Sequence, residues 1–264
     1  AADTNQTVWT IENAKGAHAI ACGLNAPIEV TIKGSTGYYC GGMNQQATIN
    51  IHGSAGPGTG ENIMSGKIVI EGDASQYLGA TGHGGLIVVK GNASSRCGIS
   101  MKGVNIVVQG NIGHMSAFMG QSGNLVVCGD AGDALGDSCY EARFFVRGKV
   151  KSLGADCEKK EMRPEHIAIL TELLAEAGFD IPIHIGVAGP AKLQTLIKFS
   201  IACGVGASLR VLQRRAKDVT KLLLPFEPDE FIADLAAHKA KNPDFNIEKL
   251  HFFPLGVIKT NAKW

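Results

Sequence analysis

The chain has 264 residues, 45% of them hydrophobic, with 25 Lys and Arg against 24 Asp and Glu. A net charge of +1 argues against nonspecific nucleic-acid binding, which needs many phosphate-facing cations, and leaves proteins or small metabolites as the expected partners. Seven cysteines without a CxxC pair fit a reducing, cytoplasmic setting, and no run of 18 apolar residues offers a membrane span.

From the N-terminal side, the dominant signal is a beat of glycine. Gly34, Gly53, Gly72, Gly91, Gly110, Gly129 and Gly148 recur at an unbroken period of 19. An alternating apolar pair precedes each, from Val30 and Ile32, through Ile68 and Ile70, to Phe144 and Val146. Period-two placement of β-branched residues over four or five positions predicts a short strand. Seven residues after each repeat glycine a second small residue recurs, at Gly41, Gly60, Gly79, Gly98, Ala117, Gly136 and Ala155, while Gly66, Gly85 and Gly123 open later strands.

Hairpins would need NG or DG turns, which are scarce. The simpler solution stacks each strand parallel on its equivalent one turn later, as a single-stranded parallel β-helix of about seven 19-residue turns over residues 1–157. At about 4.8 Å per turn the coil would be about 34 Å long. The glycines are expected to take the positive φ of sharp corners and to let neighbouring turns approach. Tyr38, Leu78, Met43, Met64, Met101 and Met115 are expected to pack inward between corners. Asp73, Asn92, Asn111 and Asp130 follow repeat glycines and read as Asx turns in preference to a metal ladder.

Other polar residues give no constellation. His83 in TGHGG could cradle an anion or simply occupy a corner; His18, His52 and His114 fall in different phases and make no zinc column. Cys97, Cys128 and Cys139 read as buried small hydrophobes. Arg96, Lys102, Asp133, Asp137, Glu141 and Arg143, charged and in or near corners, are the candidate contacts to another subunit. No catalytic, cofactor-binding or metal-binding residue is assigned.

The rhythm fails near residue 155. Pro164 followed by Ile167, Leu170, Leu173 and Leu174 and ended by Gly178 predicts an amphipathic helix within a 158–180 capping and linker segment, placed over the open end of the coil or used for dimerisation. Residues 181–264 read as strand, helices and strand, a partial α/β segment. His184 stands near the end of its first strand, and Arg210, Arg214 and Arg215 lie on a basic helix face or at a phosphate site.

The stretches GAHAIACGLNAPIEVTIKG, GYYCGGMNQQATINIHG, CGISMKG and GHMSAFMGQSGNLVVCGDAGDALGDSCYEARFFVRGKVKSLGADC resemble the glycine-rich β-helix (GXGXG) domain of the glutamate synthase large subunit. They resemble more closely its free-standing form, a subunit of N-methylglutamate synthase. The resemblance implies a non-catalytic structural subunit of a hetero-oligomer. A glutamine amidotransferase-like subunit and an FMN-binding synthase subunit would be its partners, and FMN and an iron–sulfur cluster would sit on a partner. Residues 181–264, with IPIHIGVAGPAKL and NPDFNIEKLHFFPLGVIKTN, resemble the end of a methylenetetrahydrofolate reductase barrel. That implies an alternative, a folate-linked flavin oxidoreductase fragment carrying an adaptor.

Overall fold

The structure is a computed structural model that describes residues 5–179, 183–188, 228–242 and 247–253. The chain divides into two compact units, Ala1–Phe179 and Asp180–Trp264.

The first unit is a parallel β-helix. Strands β1 (Val8–Ile11), β2 (Glu29–Lys33), β3 (Thr48–His52), β4 (Lys67–Ile70), β5 (Leu86–Val89), β6 (Lys102–Val108), β7 (Ser122–Val127) and β8 (Arg143–Val146) form one sheet in sequence order, every pair parallel. From β2 onward the register advances by one repeat per strand, so Ile49 lies on Ile68, Ile68 on Ile87 and Ile87 on Ile106. Strand β1 precedes the strict period and joins through a longer turn that sets Trp9 against Val30.

Alternation along each strand separates two apolar layers. Inward, Ile32, Ile49, Ile51, Ile68, Ile70, Ile87, Ile106 and Leu125 are fully buried and meet Leu78, Cys97 and Met101 from the opposite wall. Outward, the first strands are polar, but from β5 on the row Leu86, Val88, Val107, Val126 and Phe145 is apolar and buried. Helix α1 (Pro164–Glu176) covers that row with Leu173 and Ala177, assisted by Ile169, Leu170 and Leu174. The helix therefore lies along the flank of the sheet, where the sequence expectation put it over the open end. The outward row of Leu86, Val88, Val107, Val126 and Phe145 gives the helix an apolar surface to pack on. Pro164 starts the helix, and Gly178 at φ +76° stops it: its N–H donates to Ala175 O at 3.0 Å, and the Phe179 N–H donates to Leu174 O at 3.0 Å.

In the second unit β9 (Ile183–Ala188) and β10 (Ile247–Phe253) pair in parallel, and α2 (Asp229–Lys241) precedes β10. The two other helices expected between residues 191 and 224 lie outside the described residues, as do the side chain of His184 and Arg210, Arg214 and Arg215.

Candidate functional site: the corner columns

Each turn closes through corners, and residues one period apart make columns along the coil. The repeat glycines form the first column. Gly72, Gly91, Gly110, Gly129 and Gly148 each donate their N–H to the carbonyl of the glycine one turn earlier, at 2.9–3.1 Å. Of the seven repeat glycines only Gly34 has a positive φ, +104°, so conformational freedom is not what most of them supply. They supply space. A Cβ on Gly91, Gly110, Gly129 or Gly148 would run into the side-chain oxygen of Asp73, Asn92, Asn111 or Asp130, and one on Gly72 would lie 2.6 Å from Ser54 Oγ.

That oxygen belongs to the next column, where the sequence pattern predicts Asx turns. Asp73 Oδ1 accepts the N–H of Asn92 at 2.7 Å, Asn92 Oδ1 that of Asn111 at 2.9 Å, Asn111 Oδ1 that of Asp130 at 2.7 Å, and Asp130 Oδ1 that of Lys149 at 2.7 Å. Ser54 and Ser35 begin the series through their hydroxyl oxygens, at 3.2 and 3.1 Å. The Asx-turn expectation is corrected: the side chains reach across turns because the sharp corner leaves one backbone N–H per turn without a carbonyl above it.

Further round, the backbone alternates between right- and left-handed conformations. Tyr39, Tyr77, Arg96, Met115 and Ala134 have φ of 52–62°, and Met43, Asn62, Thr81, Ser100, Met119 and Ser138 have φ of 53–55°. Between them sits the second small residue of the repeat, at φ 63–69° for Gly41, Gly60, Gly79, Gly98 and Gly136 and 56° for Ala117. A left-handed residue costs about 1–2 kcal/mol without glycine. The alternation stays because it aims amides at both neighbours: Tyr77 N–H donates forward to Ser95 O at 3.2 Å, and Gly79 N–H donates back to Thr59 O at 2.9 Å. The small residue is also steric, since a Cβ on Gly60 would lie 2.8 Å from Ile87 Cδ1.

These corners explain where the candidate contacts fall. The structure does not gather the six. Arg96 lies over the Tyr77 ring at 5.8 Å and donates to Tyr77 Oη at 3.2 Å. Asp133 pairs with Lys151 at 2.7 Å, which holds its carboxyl below the usual carboxylate range, and Asp137 accepts from Ser138 Oγ at 2.9 Å and Ala155 N–H at 3.2 Å. Those three are committed within the chain. Lys102, Glu141 and Arg143 are exposed where the corner leads into a strand.

Sequence reasoning missed the company they keep. Tyr140 is 78% exposed, Tyr38 54%, and Met43, Met64 and Met119 45–46%. Tyr38, Met43 and Met64 were expected inside. Met43 is turned out by its left-handed backbone, and Tyr38 stacks instead on His18 with ring centroids 4.2 Å apart. Leu78 and Met101 do pack inward, while Met115 is half-buried. The available signal was repeat phase: Met64, His83, Lys102, Gln121 and Tyr140 share one column, and its chemistry changes at every turn while the column of repeat glycines stays constant.

The cysteines also divide. Cys97 is fully buried and its thiol is pushed up to about 12 by burial, whereas Cys128 and Cys139 are only half-buried, against expectation. Their places near the strand exit and the last corner leave them thinner cover than the middle turns give Cys97. No group of three or more His, Cys, Asp or Glu able to hold a metal occurs among the described residues. A shallow groove of about 400 Å³ runs between the sheet and the end of α1, lined by Gly66, Lys67, Gly85, Leu86, Asn105 and Glu176; Lys67 Nζ closes one side by donating to Glu176 O at 2.6 Å.

Strand order, corner ladders and glycine columns together define a glycine-rich parallel β-helix. The chain is 68% identical over 174 residues to Protein GlxC of Rhizobium meliloti (strain 1021), a match that spans 66% of this chain and 76% of that protein. It belongs to the GlxC family. No family model matches it, and no solved structure matches it.

Proposed function

We propose that the chain is a non-catalytic, structural β-helix subunit of a glutamate synthase-related complex, of the N-methylglutamate synthase type. The observation that carries this reading is the use of corner polar groups in joining one turn to the next. Side-chain oxygens of Asp73, Asn92, Asn111 and Asp130 accept backbone amides, so the residues that elsewhere would form a reactive cluster here hold the coil. Membership of the GlxC family and the likeness of the repeat to the GXGXG domain support the same reading.

In the assembly a glutamine amidotransferase-like subunit would release ammonia, and an FMN- and iron–sulfur-bearing subunit would use it. The coil would set their distance and orientation. The side with Met64, Lys102 and Tyr140 is the surface we assign to contact, because exposed Met and Tyr beside a cation suit a protein interface.

A tagged copy of the chain, captured from its source cells and resolved by native mass spectrometry, tests the proposal. The expected result is co-capture of an amidotransferase-like chain and a flavoprotein, with flavin absorption absent from the chain purified alone. Bound flavin on the isolated chain, or turnover by it with methylenetetrahydrofolate, would overturn the scaffold reading in favour of the reductase alternative.

A further inference from the structure

The last turn of the coil is one residue short, and the shortening brings two cysteines into one column. Leu135 bridges Leu153, and the Gly154 N–H donates to Leu135 O at 2.9 Å, just as the Gly136 N–H donates to Ser116 O at 2.9 Å one turn earlier. Asp156, at φ 65°, repeats Ser138 at φ 55°. The Cys157 N–H then donates to Gly154 O at 3.4 Å, repeating the bond of Cys139 to Gly136 O at 3.1 Å. Cys139 and Cys157 are therefore equivalent residues of adjacent turns.

Equivalent residues of adjacent turns stack about 4.8 Å apart. That falls inside the Cα separation of about 4.4–6.8 Å that a disulfide spans, and a small closing movement of the terminal turn would bring the Cβ atoms to bonding distance. The sulfurs occupy the same small space. Cys139 Sγ donates to Asp156 O at 3.6 Å, and Cys157 Sγ would lie 3.0 Å from a Cβ placed on Gly136. Both residues are half-buried and free. Earlier members of the column, Asn44, Ile63, Gly82, Met101 and Gly120, are buried, so this pair stands at the reachable end. Cys22 and Cys40 make a contrast. The Gly23 N–H donates to Gly42 O, which sets Cys22 level with Gly42, and Cys40 is fully buried.

We propose that Cys139 and Cys157 form a dithiol site that closes to a disulfide and locks the last turn onto the coil. The oxidant is a low-molecular-weight disulfide. The Cys139 thiolate attacks one of its sulfurs and releases one small thiolate; Cys157 then gives its proton to solvent and attacks Cys139 Sγ, releasing the second. Two protein thiols are oxidised and the small disulfide becomes two thiols. Burial, with Cys139 beside it, pushes the Cys157 thiol up to about 11. Closure therefore speeds up about tenfold per pH unit below that value, as the Cys157 thiolate fraction grows.

The test uses the full chain, oxidised glutathione and peptide mapping without reductant. The expected product is a Cys139–Cys157 linked peptide that reductant reverses, while Cys157→Ser stops at a glutathione adduct on Cys139. A wild-type chain that keeps the adduct on Cys139 without closing, or that links another pair first, would overturn the proposal.

Discussion

Asp73 Oδ1 accepts the backbone N–H of Asn92 at 2.7 Å and occupies the space that a Cβ on Gly91 would need. One oxygen thus ties together a hydrogen bond and a glycine, through two adjacent positions of the repeat on two neighbouring turns. The same arrangement recurs one turn on with Asn92, Asn111 and Gly110. It explains why the glycine precedes the Asp or Asn in turn after turn.

Gly91→Ala is expected to cost about 2–3 kcal/mol, because its Cβ would meet both Asp73 and the Gly72 carbonyl, 2.7 Å away, and backbone does not yield cheaply. Asp73→Ala should cost only about 1 kcal/mol, since the Asn92 N–H at an exposed corner can turn to water. Asp73→Asn should be nearly neutral, an amide oxygen doing the same work at Asn92. Urea unfolding of the three variants checks the order.

Asn44 is fully buried, its Nδ2 donating to Ala47 O at 2.8 Å and Ser65 O at 3.2 Å while its Oδ1 accepts the Ala47 N–H at 3.2 Å. Asn44→Leu should destabilise the chain by about 2–4 kcal/mol, because it strands buried backbone groups in two turns. The loss of midpoint in chemical unfolding measures it.

Leu173 is the buried anchor of α1 on the Val107 and Val126 row. Leu173→Asp should free the helix and open residues 158–179 to limited proteolysis, with the coil's far-ultraviolet spectrum retained. Simultaneous loss of the coil would show that helix and sheet fold as one unit.

Alkaline pH should weaken the fold through Cys97. Its folded value, about 12, lies above the ordinary thiol value of 9.0, so the native state binds more protons between the two. The stabilisation is complete below about pH 9 and is lost as pH rises toward 12. Cys97→Ala should be less stable at pH 7 through its cavity, by about 1 kcal/mol, yet show a shallower decline above pH 9. Unfolding midpoints across pH for both proteins compare the slopes.

The period and the strands were legible because both rest on local alternation, as Val30 and Ile32 or Ile87 and Val89 show. The reason for the glycines was not. One-dimensional spacing cannot separate a glycine that turns the chain, such as Gly66 at φ 81°, from Gly91, which yields room to a side chain one turn away. Left-handed positions filled by Tyr77, Arg96 and Thr81 were hidden for a related reason: bonds between turns hold them there, and no local propensity records such bonds. Met43 and Met64 were misplaced because apolar character alone was read as burial. The exposure of Lys102, Glu141 and Arg143 follows from charge in corners, but that of Tyr140, next to Glu141, needed the phase of the whole column.

Amide hydrogen exchange on the purified chain tests most directly whether corners are spent on joining turns. Protection at Gly72, Gly91, Gly110, Asn92, Asn111 and Asp130 comparable to that of the strand amides of Ile68 and Ile87 is the predicted result. Rapid exchange at those corners beside slow strands would contradict it, and would return their amides and carboxylates to the pool available for binding.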